Sequence, residues 1–143
     1  MKQIFGLFLV AATVFGCSNS AKQPSKQSED IQATDMHTSR TSLNYYGMYS
    51  GTVPCADCEG IETTIILGDT DYSIKTVYLG KNKTEYKETG VYSWNENGQI
   101  ITLEGIKNAP NQYFVGENYL KQLDMNGDEI TGQWAEMYIL RKD

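Results

Sequence analysis

The sequence predicts an all-β domain, a small antiparallel up-and-down barrel of about eight strands over residues 44 to 143. Three observations carry that prediction. Short runs alternate side chains with a period of two, which puts one set on one face of a sheet. Polar turn signals separate these runs about every ten residues. No window holds an apolar stripe of helical period long enough to make a helix.

Each strand has its own signal. Tyr45 to Val53 is tyrosine-rich and opens the domain. Ile61 to Leu67 places Ile61, Thr63, Ile65 and Leu67 on one face. Gly68-Asp69-Thr70-Asp71 turns the chain, and Tyr72 to Leu79 follows with Tyr72, Ile74, Thr76 and Tyr78 in register. Gly80-Lys81-Asn82-Lys83 turns it again into Glu85 to Trp94, where Gly90 reads as a bulge or bend. Asn95-Glu96-Asn97-Gly98 is a strong hairpin signal before Ile100 to Leu103. Tyr113 to Val115 and Tyr119 to Met125 come next, then the turn Asp124-Met125-Asn126-Gly127-Asp128. Ile130 to Trp134 and Met137 to Leu140 complete the set. A meander of this size exposes two edges unless it closes, so a barrel is the economical arrangement. Ten tyrosines and two tryptophans then either fill the interior or line a ligand cavity.

The segment before the barrel reads differently. Lys2 and the apolar run Ile4 to Phe15 are too short to span a bilayer and suit a signal peptide, residues 1–16. The run ends Val14-Phe15-Gly16-Cys17, a small residue directly before cysteine, which resembles a lipoprotein cleavage site. Acylated Cys17 would hold the mature chain on a membrane. Ser18 favours the outer membrane by the sorting rule of such lipoproteins. With no acidic cluster after it, the expected location is the periplasmic face. Residues 18 to 43 are polar, with one Ile and one Leu, and cannot offset chain entropy by burial. They read as a disordered tether spanning roughly 30 Å. His37, the one histidine of the chain, falls in this tether, as a solvated residue or a supplementary metal ligand.

Charge and composition exclude several functions. Residues 44 to 143 hold 8 Lys+Arg against 15 Asp+Glu, a net charge of −7. Nucleic acid, which needs cations to neutralise its backbone, is not an expected partner. With no histidine in the domain there is no Ser/His/Asp set, and no Gly-rich phosphate loop is present. No enzyme is expected.

The chemistry concentrates in Pro54-Cys55-Ala56-Asp57-Cys58-Glu59-Gly60. Two thiolates two residues apart are a coordination set for Cu(I), a soft ion. Zinc would require further Cys or His ligands that the domain lacks. Asp57 and Glu59 flank the pair as hard oxygen donors and oppose thiolate formation, which argues against redox catalysis. The competing state is a Cys55–Cys58 disulfide, since an exported cysteine pair meets an oxidising compartment. The two states can alternate with redox conditions.

These residues carry a resemblance. Tyr49-x-Gly51-x-x-Pro54-Cys55-Ala56-Asp57-Cys58-Glu59-Gly60-Ile61 resembles the signature of the NlpE lipoproteins, a family named for copper resistance and envelope-stress signalling. Gly90-x-Tyr92-x-Trp94, Leu120-x-x-Leu123-Asp124-x-x-Gly127 and Tyr138-x-Leu140 are similar to the rest of its N-terminal domain. The resemblance implies a lipocalin-like barrel over residues 44–143 and a role in copper binding or thiol sensing at Cys55 and Cys58. It also implies a partner among envelope-stress sensor proteins. Larger members add an OB-like domain, so this chain is expected to be a single-domain member. The alternative is a lipocalin-like carrier of a small apolar ligand, with the cysteines as a structural clip.

Overall fold

The computed structural model describes residues 37–80 and 83–143. The expected signal peptide, Cys17 and the tether up to residue 36 lie outside the described residues. Eight antiparallel strands follow one another round a closed barrel. They are β1 (Gly47–Val53), β2 (Gly60–Leu67), β3 (Asp71–Leu79), β4 (Glu85–Trp94), β5 (Ile100–Leu103), β6 (Gln112–Gly116), β7 (Tyr119–Gln122) and β8 (Ile139–Lys142). Each pairs with its neighbour in sequence, and β8 returns to β1 through Tyr49↔Lys142 and Ser50↔Arg141. The expected up-and-down barrel is the observed fold.

The alternation read from the sequence sets which side chains point inward. Thr63, Ile65 and Leu67 of β2 are buried while Glu62 and Ile66 are exposed. Tyr72 and Ile74 of β3 are buried in the same way. Tyr49, Ile65, Ile101, Leu103, Val115, Leu120 and Leu140 have no exposed surface at all. Full burial of such a side chain is worth roughly 1.5–3 kcal/mol, so these layers are the main source of stability. Core tyrosines also satisfy their hydroxyls. Tyr49 donates to the Tyr45 carbonyl at 2.7 Å, Tyr72 to the Glu104 carbonyl at 2.7 Å, and Tyr92 to the Gly68 carbonyl at 2.9 Å.

The up-and-down order gives the barrel two unlike ends. One end carries short connections, residues 68–70, 95–99 and 117–118. Here Asn95 Oδ1 accepts from the Gln99 and Ile100 N–H groups and fixes the hairpin. The other end carries residues 54–59, 104–111 and 123–138, with Gly80 and residues 83–84 between β3 and β4. The Asp124 carboxylate tightens one of these loops by accepting from the Asn126 and Asp128 N–H groups at 2.8 and 2.9 Å.

Four local expectations are corrected. Ile130 to Trp134 is not a strand. Its alternation is broken at Gly132, whose φ of +98° turns the chain into a short 3-10 helix, Ala135–Tyr138, and Trp134 is exposed. The strand expected to run to Met125 stops at Gln122, because the Asp124 turn takes over the backbone donors. Gly90 makes no bulge: it pairs with Tyr72 in the ladder. A side chain there would strike the Tyr72 ring and the Glu104 carbonyl at 2.9 Å. Finally, the stretch read as tether contains a helical turn, α1 (Ser39–Ser42), closed by a capping box between Thr38 and Thr41. Arg40 N–H donates to the Gly98 carbonyl at 3.0 Å and Ser39 is buried. The capping hydroxyls and this backbone bond hold a segment that has too few apolar side chains to dock by burial alone.

Candidate functional site at the open end of the barrel

Cys55 and Cys58 sit on the loop from β1 to β2, at the end with the long connections. The structure joins them in a disulfide with Cα atoms 5.3 Å apart. Both are half-buried, while Ala56, Asp57 and Glu59 between and beside them are exposed. The loop is short enough to close because Gly60 takes φ +154°, where a Cβ would lie 2.7 Å from Thr52 Cγ2. Its exit is tied to the next hairpin: the Glu59 N–H donates to the Leu79 carbonyl at 3.3 Å. Glu59's side chain lies against Gly80.

The surroundings of the sulfurs are oxygen-rich. Cys55 Sγ lies 3.6 Å from Asp57 Oδ1, and Cys58 Sγ lies 3.3 Å from the Gly60 carbonyl oxygen. Neither oxygen is a soft ligand. Among the described residues no group of three or more His, Cys, Asp or Glu could hold a metal ion. The donor set therefore fits a two-sulfur ion such as Cu(I) only after reduction, since a disulfide sulfur lacks thiolate charge. His37 is not beside it. Its Nδ1 lies 3.3 Å from Ser42 Oγ, on the α1 turn that bonds to the opposite end of the barrel.

Beside the CxxC loop the barrel opens into a cavity of about 550 Å³. Pro54 and Val53 bring the motif to its wall. Ile61, Ile74, Tyr78, Tyr86, Ile106, Tyr113, Ile130 and Tyr138 supply apolar surface, with Thr63, Thr76, Glu88, Lys107, Gln122 and Asp124 as polar groups. Burial pushes the Tyr113 hydroxyl well above its ordinary range. Sequence reading had the tyrosines and strand residues of this lining but missed the loop residues Ile106, Met125 and Ile130. Their signal was apolar side chains inside otherwise polar connections. The structure thus brings Cys55, Cys58 and the motif residues Pro54, Asp57, Glu59 and Gly60 together on one side of the mouth.

Comparison with known proteins agrees with this architecture. Residues 49–133 match the model of the NlpE N-terminal domain. Lipoprotein NlpE of Escherichia coli (strain K12) is 28% identical over 123 residues, covering 85% of this chain and 49% of that protein. The chain therefore spans about half the length of that relative. Among solved structures, a lipoprotein candidate from Shewanella oneidensis is 45% identical and covers 74% of this chain and 95% of its own, with a TM-score of 0.68. The Cpx pathway activator NlpE from Escherichia coli is 29% identical over 61% of this chain and 46% of its own, with a TM-score of 0.50. On the match over residues 49–133, which carries the CxxC loop and seven of the eight strands, this chain belongs to the NlpE N-terminal domain family.

Proposed function

We propose that this protein is a non-enzymatic envelope lipoprotein that senses copper or thiol redox state through Cys55 and Cys58. The observation that carries the reading is the placement of the pair: half-buried, on a short loop at the barrel mouth, tied to a neighbouring hairpin by one backbone bond. In the oxidised state the pair is a local clip. In the reduced state two thiolates face the same space and offer Cu(I) a complete two-sulfur site. A change at this loop reaches Glu59, which rests on the β3–β4 turn. The surface around the mouth then differs between states. A relative named as an activator of the Cpx pathway supports a sensor protein of the envelope-stress response as the partner. In this reading acylated Cys17 anchors the chain to the outer membrane, facing the periplasm.

Two experiments test it. A competition titration against a Cu(I) chelator should give about one ion per reduced chain. The oxidised chain and the Cys55→Ser and Cys58→Ser variants should lose most of that affinity. Equal affinity in all forms would reject the site. Cys17→Ala should release the protein from the membrane fraction, and retention there would sink the anchor. A second reading, a carrier of a small apolar ligand with the disulfide as a clip, is favoured by the cavity of about 550 Å³, a volume in the range of ligand pockets.

A further inference from the structure

The barrel wall is incomplete beside its mouth. β4 has ten residues and β5 four. β5 pairs with Tyr92, Ser93 and Trp94 only. One more bond follows, from the Glu104 N–H to the Val91 carbonyl at 3.0 Å. The chain then leaves the sheet in the turn at Glu104-Gly105. Upstream of Val91, β4 is paired with β3 alone among the described residues.

The register says which backbone groups face the gap. Tyr78 N–H donates to Thr84, and Tyr92 N–H to Thr70. Hydrogen-bonded pairs in an antiparallel ladder recur every second residue. The even-numbered residues of β4 therefore bond to β3. Glu85, Lys87 and Thr89 direct their N–H and C=O groups to the gap, and all three residues are exposed. That is a sheet edge of three residues with no strand on it.

Two further observations say what would fit there. The side chains of Tyr86 and Glu88 line the mouth cavity beside Ile74, Tyr78 and Tyr113, and the Tyr78 and Tyr86 rings meet edge to face at 5.7 Å. An occupant on this edge would point alternate side chains at that lining. Charge adds a sign. Lys87 is paired with Glu85 at 2.7 Å, whereas Glu88 has no ion-pair partner among the described residues. A basic side chain complements it.

We propose that the β4 edge at Glu85–Thr89 binds an extended polypeptide segment as an added antiparallel strand. Its inward positions place an apolar side chain against Tyr86 and a basic one against Glu88. Main-chain bonds supply affinity and the mouth supplies side-chain selectivity, as in other strand-addition sites.

The test uses the full chain and a capped pentapeptide, Thr-Lys-Thr-Val-Thr, as the probe. At saturation the amides of Glu85, Lys87 and Thr89 should exchange at least about tenfold more slowly, with Tyr86 and Glu88 amides unchanged as internal controls. N-methylation of the probe's threonines, whose N–H groups face the edge, should weaken binding by about tenfold or more, while N-methylation of its valine and lysine should leave it within about threefold. Because the alteration is in the probe, protein folding is not at issue. Glu88→Gln should weaken binding several-fold and flatten its salt dependence. No protection of the three amides overturns the proposal, as does equal loss for both methylated probes. Perturbation of the cavity without edge protection would mean a small-ligand site only. Protection that rises with protein concentration and no probe would mean a second copy of the chain. Either result also overturns it.

Discussion

The two ends of this barrel are built from the same strands but by different rules. At the packed end the connections are short, hydroxyls of Tyr49 and Tyr92 end on backbone carbonyls, and Tyr45 packs edge-on against Trp94 with ring centroids 4.9 Å apart. At the open end the connections are long, Tyr78 and Tyr86 are exposed, and the core gives way to a cavity. The cysteine pair, the acidic side chains beside it and the unpaired strand edge all sit there. Stability and chemistry are thus segregated along the barrel axis, and the difference can be broken experimentally from either side.

The largest expected effect is alkaline unfolding, to which the tyrosines of the packed end and the buried Tyr113 of the mouth contribute together. Hydrogen bonds with Tyr45 and Asp69 raise the Tyr46 hydroxyl to about 12. Burial raises Tyr49, Tyr72 and Tyr92 above the ordinary value near 10. A group raised in the folded state contributes stability that is complete below its unfolded pKa and lost as pH rises through the folded value. The loss should therefore begin near pH 10 and be steep towards pH 12. A urea midpoint that is flat from pH 9 to 12 would contradict this. Next in size, Tyr49→Ala removes a fully buried ring and should cost about 3–5 kcal/mol in urea unfolding. Substituting Ser for both Cys55 and Cys58 should cost no more than about 2 kcal/mol, because the bridge closes a loop of only four residues. A larger loss would mean that the open end is structurally coupled to the packed one.

The same division explains what was legible in the sequence. At the packed end local rules agree with the fold: period-two alternation placed Ile65, Leu67, Tyr72 and Ile74, and Asn95-Glu96-Asn97-Gly98 marked a real hairpin. The cysteine pair and its flanking residues were legible too, because a motif survives without knowledge of its surroundings. The mouth was not. Its lining comes from Ile106, Met125 and Ile130, in connections whose path depends on contacts across the barrel. Ile130 to Trp134 was misleading for the same reason. Alternation alone reads as a strand, but the neighbouring strands β7 and β8 already pair with each other there, leaving no ladder to join. The free edge of β4 was equally invisible, since it follows from β5 being shorter than its partner rather than from any residue in β4.

The smallest expected effect sharpens the comparison most. Tyr86 is 55% exposed and meets the Tyr78 ring edge to face. Tyr86→Ala removes that contact and part of the cavity wall but opens no void in the core, so it should change stability by less than about 0.5 kcal/mol, the usual range for a surface site. An aromatic pair of this geometry can contribute more than that when it is buried. Here water already reaches both rings, and little apolar surface is returned to it on truncation. A loss comparable to Tyr49→Ala, measured in the same urea series, would show that the hairpin tip is part of the cooperative core and that the mouth is rigidly held. A negligible loss together with altered uptake of an apolar dye at the mouth would assign Tyr86 to the lining alone. Tyrosines would then serve packing at one end of the barrel and line the mouth at the other, with depth along the axis deciding which.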